Sequence, residues 1–179
     1  MIEIENLKSE LRRYIDENFA EESFVVEDVE DDGRVFAIPP RFREPRTFAV
    51  AGLISPINFL KMYKESKSET FSEMLLRLIG ESGEKNSAVY NRANIDRRHF
   101  SKIANNENYR PSKETALAFA IALQLNFDKT QEFLKTAGYT LTKNNLADVI
   151  VNFFIDKKIF DINVVNMALH EYEQPLLGG

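Results

Sequence analysis

Four polar side chains between positions 97 and 105 have the types and spacing needed to hydrogen-bond to DNA bases: Arg97, Arg98, Ser101 and Asn105. Arginine can donate two hydrogen bonds to guanine, and the asparagine amide can pair with adenine in the same two-point manner. On a helix over residues 96–105, the spacing directs these side chains outward and Phe100 and Ile103 inward. The pattern therefore predicts a helix that presents hydrogen-bond donors to a DNA groove.

Basic and small polar residues around that helix are of the kinds that hold DNA phosphates: Lys85, Asn86, Ser87, Lys102 and Arg110. The chain as a whole has a formal net charge of −5. Its segment 85–113 nevertheless contains seven Lys or Arg residues and only two Asp or Glu residues. Positive charge concentrated in an otherwise acidic chain is typical of a local phosphate-binding surface.

Two short helices must position these side chains, and the sequence predicts them at 86–93 and 96–105. Asn94 lies between them, and asparagine tolerates the positive φ that a tight turn between two helices often needs. Asp96 is suited to cap the second helix, because its carboxylate can accept from free backbone N–H groups. Together these features predict a helix-turn-helix motif.

The stretches IDRRHFSKIANN and YRPSKETALAFAIALQLN resemble the Cro/phage-repressor (XRE) family, and the resemblance covers about residues 70–138. The resemblance implies a lambda-repressor-like five-helix fold, with 96–105 as the recognition helix. It also places Asn86 at the family's phosphate-contacting position. A looser similarity, carried by AGY at 137–139 and the terminal QPLLG, links residues 70–178 to a C-terminal helical module fused to varied bacterial proteins.

Three positions depart from the family's pattern. Tyr90 stands where a small alanine usually lets the two helices approach, Ala104 stands where a glutamate is usual, and Asn106 replaces a glycine. Tyr90 could change the angle between the helices. The fold is then expected to persist while its outer face is presented differently.

The rest of the chain completes a mainly α fold class. Residues 67–179 are predicted to form the repressor-like domain and two extra C-terminal helices. Residues 1–66 are predicted to form a small appendage, which comprises a helix over 3–19, a β-hairpin around EDDG at 30–33, a proline-containing linker at 39–46 and a helix from Pro56. The predicted helix caps are Thr70 with Glu73, Gly83, Ser112, Asp128 with Gln131, Gly138 and Asp161.

Composition excludes several classes of function. The chain has no cysteine and two histidines, so it predicts no disulfide, no metal site and no cofactor. No signal peptide or membrane-spanning apolar run is evident, which favours a cytoplasmic protein. Asp96, His99 and Ser101 are close in sequence but point in different directions around a helix, so no catalytic triad and no enzyme is predicted. His99 could contact DNA or could be a half-exposed packing residue.

These features predict a DNA-binding helix-turn-helix protein, a transcriptional regulator whose partner is double-stranded DNA. A homodimer could form through residues 1–19 or 142–173, each of which carries an apolar helical face. The alternative is a non-enzymatic protein-interaction or adaptor module that keeps the repressor-like fold without reading DNA. The terminal Leu-Leu-Gly-Gly is predicted to fray beyond Pro175.

Overall fold

The computed structural model describes residues 4–19 and 69–178, and every regular element in these ranges is an α-helix. The helices are α1 (Ile4–Asn18), α2 (Phe71–Ser82), α3 (Asn86–Arg92), α4 (Arg97–Ala104), α5 (Lys113–Ala122), α6 (Phe127–Thr136), α7 (Leu146–Asp156) and α8 (Ile162–Glu171). The mainly α prediction is confirmed for these ranges. The predicted hairpin, proline-containing linker and helix from Pro56 lie outside the described residues.

Side-chain caps explain why most of these helices begin where they do. The backbone N–H of Thr70 donates to the Glu73 carboxylate, and the Thr70 hydroxyl accepts from the backbone of Glu73, which completes the predicted capping box. Ser112 caps α5 and Asp161 caps α8, also as predicted. Gly83 closes α2 with a φ of +70°, a left-handed conformation that costs glycine little.

The predicted capping box of Asp128 with Gln131 is wrong. Helix α6 begins earlier, because the Asn126 side chain accepts a hydrogen bond from the backbone N–H of Lys129. The Gln131 amide is used elsewhere, accepting from the backbone N–H of Leu141 at 3.0 Å and donating to its carbonyl at 3.2 Å. Because the Gln131 side chain bonds to the loop that follows α6, it does not cap the N-terminus of the helix.

Helix α5 lies at the centre of the core. Every residue from Thr115 to Ala122 is buried, and α5 packs against α3, α6 and α8. Its alanines let neighbouring helices approach, while large rings fill the remaining space: Phe71, Phe119, Phe133, Phe153 and Phe154. Each buried phenylalanine contributes roughly 1.5–3 kcal/mol through the hydrophobic effect. This core is the platform that holds α3 and α4.

Helix α1 packs on α7 of the same chain. Leu11 and Ile15 are buried in this contact, and the Tyr14 hydroxyl donates to Asp156 at 2.8 Å. An ion pair between Glu10 and Lys157 adds a further contact. This helix, one of the two segments predicted to form a homodimer, therefore packs on its own chain. Within the described residues, no helix combines the length and apolarity needed to cross a membrane.

The prediction that the chain frays beyond Pro175 is wrong as far as Gly178. Leu177 is only 4% exposed and joins the hydrophobic core. The Asn166 side chain bonds to both the backbone N–H and the carbonyl of Leu177. Apolar burial and these two hydrogen bonds offset the conformational entropy that would otherwise release the tail.

Candidate nucleic-acid interface

Helices α3 and α4 meet through a tight turn centred on Asn94. Asn94 has a φ of +54°, as the sequence predicted, and its neighbours Ala93 and Ile95 are buried. The backbone N–H of Ile95 donates to the carbonyl of Tyr90 at 2.9 Å, which closes the turn. The turn is thus held by an inward apolar residue on each side and by a hydrogen bond across it.

The carboxylate of Asp96 caps α4. It accepts from the backbone N–H groups of His99 at 3.0 Å and Arg98 at 2.7 Å. These hydrogen bonds lower the pKa of Asp96 below its ordinary value, because they favour the ionised carboxylate. Asp96 therefore stays negatively charged while serving the helix rather than pairing with the neighbouring arginines.

The inner face of α4 is fixed to the rest of the domain. Phe100 and Ile103 are buried, and the Ser72 hydroxyl of α2 donates to the carbonyl of Ile103 at 2.6 Å. On α3, the Arg92 guanidinium donates to the carbonyl of Ala122 in α5 at 2.7 Å. Both helices are therefore held by contacts with other elements, which leaves their outer faces rigidly presented.

All nine side chains that the sequence assigned to DNA contacts are exposed: Lys85, Asn86, Ser87, Arg97, Arg98, Ser101, Lys102, Asn105 and Arg110. The structure brings five of them together around one open depression of about 480 Å³ between α3 and α4: Asn86, Ser87, Arg97, Ser101 and Asn105. The depression also contacts Tyr90, Phe100 and Ala104. The other four residues lie outside its lining, so the nine form a broader face rather than one pocket.

The cations of this face have no carboxylate partner within the described ranges, 4–19 and 69–178. This holds for Lys85, Arg97, Arg98, Lys102 and Arg110. Elsewhere in the domain, Arg77 pairs with Glu69 and Glu81, and Arg92 pairs with Glu84. No salt bridge in the described residues therefore pairs with these cations, although the Asp96 carboxylate attracts Arg98 electrostatically. Unpaired positive charge of this kind is what binding to a polyanion requires.

Two of the predicted base-contacting residues, Ser101 and Asn105, are hydrogen-bonded to each other. The Asn105 amide nitrogen donates to the Ser101 carbonyl at 2.8 Å and to the Ser101 hydroxyl at 3.1 Å. An asparagine that pairs with adenine needs that nitrogen for the base. Asn105 must therefore exchange this contact, worth about 0.5–1.5 kcal/mol for a typical hydrogen bond, before it can read adenine.

His99 faces the domain rather than open solvent. It is half-buried, and its Nε2 lies 3.1 Å from the Tyr109 hydroxyl. The Lys102 ammonium lies 5.3 Å from the centroid of the same tyrosine ring, within the range of a cation–π contact. The packing interpretation of His99 is the one realised. Sequence reasoning missed Tyr109, whose only signal was an aromatic residue inside a polar loop.

Tyr90 packs between α3 and α4. Its ring is half-buried and lies against the Phe100 ring, with centroids 5.2 Å apart. The tyrosine thus lines the depression between the two helices. Ala104 borders the same depression and is also half-buried.

Comparison of the chain with known protein families, curated proteins and solved structures finds no match.

Proposed function

We propose that this protein binds double-stranded DNA through the outer faces of α3 and α4 and acts as a transcriptional regulator with a lambda-repressor-like arrangement of helices. The observation that carries the proposal is the exposure of Arg97 and Arg98 on a helix whose opposite face is buried, with no described carboxylate paired to either. A cover over these two arginines would have removed the basis of the proposal.

The dimensions of α4 suit a major groove. The helix has eight residues, and an α-helix with its side chains is about 10–12 Å in diameter. The major groove, about 12 Å wide, admits a helix of this kind. In the proposal, Arg97, Arg98, Ser101 and Asn105 contact base edges.

Phosphate contacts would come from the residues that flank α4. Asn86 and Ser87 border the same depression as Arg97, and in this proposal they contact the DNA backbone beside the groove. Lys85, Lys102 and Arg110 extend the positive charge around them. Contacts of this kind set position and affinity, whereas base contacts set sequence preference.

The decisive experiment is a salt titration of binding to duplex DNA, with sequences first enriched from a random pool. The double variant R97A/R98A is expected to lose at least about tenfold in affinity, since each lost bidentate contact removes roughly 1–3 kcal/mol of discrimination. The matched control is K129A/K135A, which removes the same charge from exposed positions on α6.

Thermal unfolding of both variants checks that the fold is retained. Binding that ignores both the salt concentration and R97A/R98A would overturn the proposal. An equal loss of affinity in the control would show that the effect comes from net charge, and it would argue against a specific binding face on α4.

A second candidate function, protein interaction through self-association, is favoured by a different surface. An apolar groove of about 830 Å³ runs between α1 and α8. Met167 borders it and is 61% exposed, which is unusual for an apolar side chain of that size. The groove is therefore suited to bury an apolar side chain from a partner.

The segments that form this groove favour a second copy of the chain as that partner. Lys8 on one wall and Glu171 on the other already pair within the chain at 2.9 Å, so the charges do not select the partner. A two-fold arrangement that apposes α1 of one copy to α8 of the other would bury the exposed Met167 of both copies. The two segments predicted to make a homodimer, 1–19 and 142–173, each supply part of this groove.

Sedimentation of the full chain tests the idea. A concentration-dependent dimer that is abolished by M167E and retained in L76E, a control at an exposed leucine of α2, would support it. A wild-type chain that stays monomeric at millimolar concentration would refute it.

A further inference from the structure

The C-terminal tail is held on the domain by the Asn166 side chain, which hydrogen-bonds to the tail backbone as a neighbouring strand would. The Asn166 carboxamide of α8 accepts from the Leu177 N–H at 2.8 Å and donates to the Leu177 carbonyl at 3.0 Å. The Leu177 side chain is 4% exposed, so it is held by apolar packing as well. The tail is thus fixed at both its backbone and its side chain.

These contacts bring Gly178 next to the turn between α3 and α4. A Cβ built on Gly178 would lie 3.1 Å from the carbonyl oxygen of Asn94 and 3.5 Å from its side chain. Gly178 also has a φ of +116°, which residues with a Cβ rarely adopt. Only glycine allows the tail to approach the turn this closely with this backbone conformation.

The turn at Asn94 sets how α4 is held relative to α3. Its own closure depends on few contacts, chiefly the hydrogen bonds from the N–H of Asn94 to Asn91 and from the N–H of Ile95 to Tyr90. Asn94 is itself an exposed residue with a left-handed backbone. The approach of Gly178 therefore adds a contact from the far end of the chain to the turn that joins the two helices.

We propose that Asn166, Leu177 and Gly178 are positioning residues that hold the Asn94 turn, and through it the orientation of α4, without touching DNA themselves. The part that concerns DNA rests on the proposed function. The part that concerns the turn does not depend on it.

The first test is hydrogen exchange of the full chain. N166D replaces the amide that donates to the Leu177 carbonyl with a carboxylate that repels it, and G178A presses a methyl group on Asn94. Each variant is expected to speed exchange of the Asn94 and Ile95 amides by about tenfold, because the turn opens locally more often once the tail contact is weakened. Amides in α7 are expected to be unchanged.

The matched control is N18D, which makes the same chemical change at an asparagine of α1 whose amide also donates to a backbone carbonyl, that of Tyr14, at 3.0 Å. A purely structural role for the tail would speed exchange evenly across the core or would leave the turn unaffected. Either outcome in N166D and G178A would overturn the proposal.

The second test is duplex DNA affinity, measured with the sequences enriched for the wild-type chain. N166D and G178A are expected to bind about fivefold more weakly, in the range that remote changes produce, at an unchanged salt slope, because no phosphate contact is removed. Faster turn exchange with unchanged affinity would refute the link to α4. A wild-type chain that fails to bind DNA would sink the proposed function and leave the exchange result to decide the turn.

Discussion

The ring of Tyr90 on α3 lies 5.2 Å from the ring of Phe100 on α4, inclined by 36°. This contact joins the two helices at the floor of the depression between them. A small residue at position 90 would leave the outer edge of Phe100 without a partner. The tyrosine therefore packs α3 against α4.

Replacing this ring gives the first prediction. Y90A is expected to lower the free energy of unfolding by roughly 1–3 kcal/mol, less than a fully buried phenylalanine would cost, since the ring is half-exposed. Y90F retains the ring and is expected to stay within about 0.5 kcal/mol of wild type. Denaturant unfolding measures both, and equal losses in the two variants would show that the hydroxyl, not the ring, matters.

The second prediction concerns Lys85, which the proposal assigns to a phosphate. K85A is expected to weaken binding to all duplexes alike and to reduce the slope of log affinity against log salt by about one unit. K129A, at an exposed lysine of α6, is expected to leave the slope unchanged. A change in sequence preference in K85A would instead assign Lys85 to a base.

The third prediction follows from the lowered pKa of the Asp96 carboxyl. A carboxylate whose pKa is lower in the folded state stabilises the fold above its unfolded pKa and loses that contribution as pH falls through the folded value. Asp96 should therefore contribute fully at neutral pH and progressively less below its ordinary pKa of 3.8.

Replacing Asp96 with asparagine removes the negative charge but keeps a side chain that can cap α4. D96N can still accept the hydrogen bonds from residues 98 and 99, so a folded α4 is expected. Its thermal midpoint should fall less steeply than that of wild type as the pH is lowered below 3.8, the ordinary pKa of this carboxyl. Parallel midpoints below that pH would contradict the assignment.

The fourth prediction concerns the tether of α1. Burial and the hydrogen bond to Asp156 raise the pKa of Tyr14 from 10.0 to about 12. A raised pKa stabilises the folded state below the unfolded value and is lost as pH rises through the folded value. The docking of α1 should therefore weaken between pH 10 and pH 12.

Ultraviolet absorbance of phenolate, compared between wild type and Y14F, isolates this group. The difference is expected to titrate near pH 12, and Y14F is expected to lack that step. A difference that titrates near 10 would mean that the hydroxyl is solvated and that α1 is not held at this point.

The fifth prediction contrasts a buried ion pair with an exposed one. Asp148 is 1% exposed and accepts from the Lys113 ammonium at 2.6 Å and from the Thr142 N–H at 2.9 Å. D148A should lower the free energy of unfolding by about 3–5 kcal/mol, because it leaves a largely buried ammonium without a partner.

The matched comparison is E171A, which breaks the exposed pair between Lys8 and Glu171. Exposed pairs contribute about 0–1 kcal/mol, so little change is expected. Denaturant unfolding of both variants makes the comparison, and a loss in D148A no greater than that in E171A would refute the structural role of Asp148.

Local chemistry made most helix boundaries predictable. Thr70 with Glu73, Asp96, Ser112 and Asp161 each cap through hydrogen bonds that span two or three residues, so the sequence alone carries the information. The positive φ of Asn94 was predictable for the same reason, because it depends on what asparagine tolerates in a tight turn.

Contacts between separate segments of the chain could not be predicted from the sequence. Gln131 bonds to Leu141 and not to its own helix, and His99 turns to Tyr109, because the path of each loop decides which partner is within reach. The prediction of exposed donors on α4 needed only helical periodicity. Which of them surround the depression between α3 and α4 depended on how the helices pack.

The amino-acid sequence by itself determined that α4 would form, which of its faces would be apolar and where its cations would stand, since these follow from repeats and caps within a few residues. Only the tertiary structure decided that Leu177 would be buried and that Gly178 would meet Asn94. The reason is physical: a contact across more than eighty positions depends on the packing of every helix between them, and no local pattern encodes that sum.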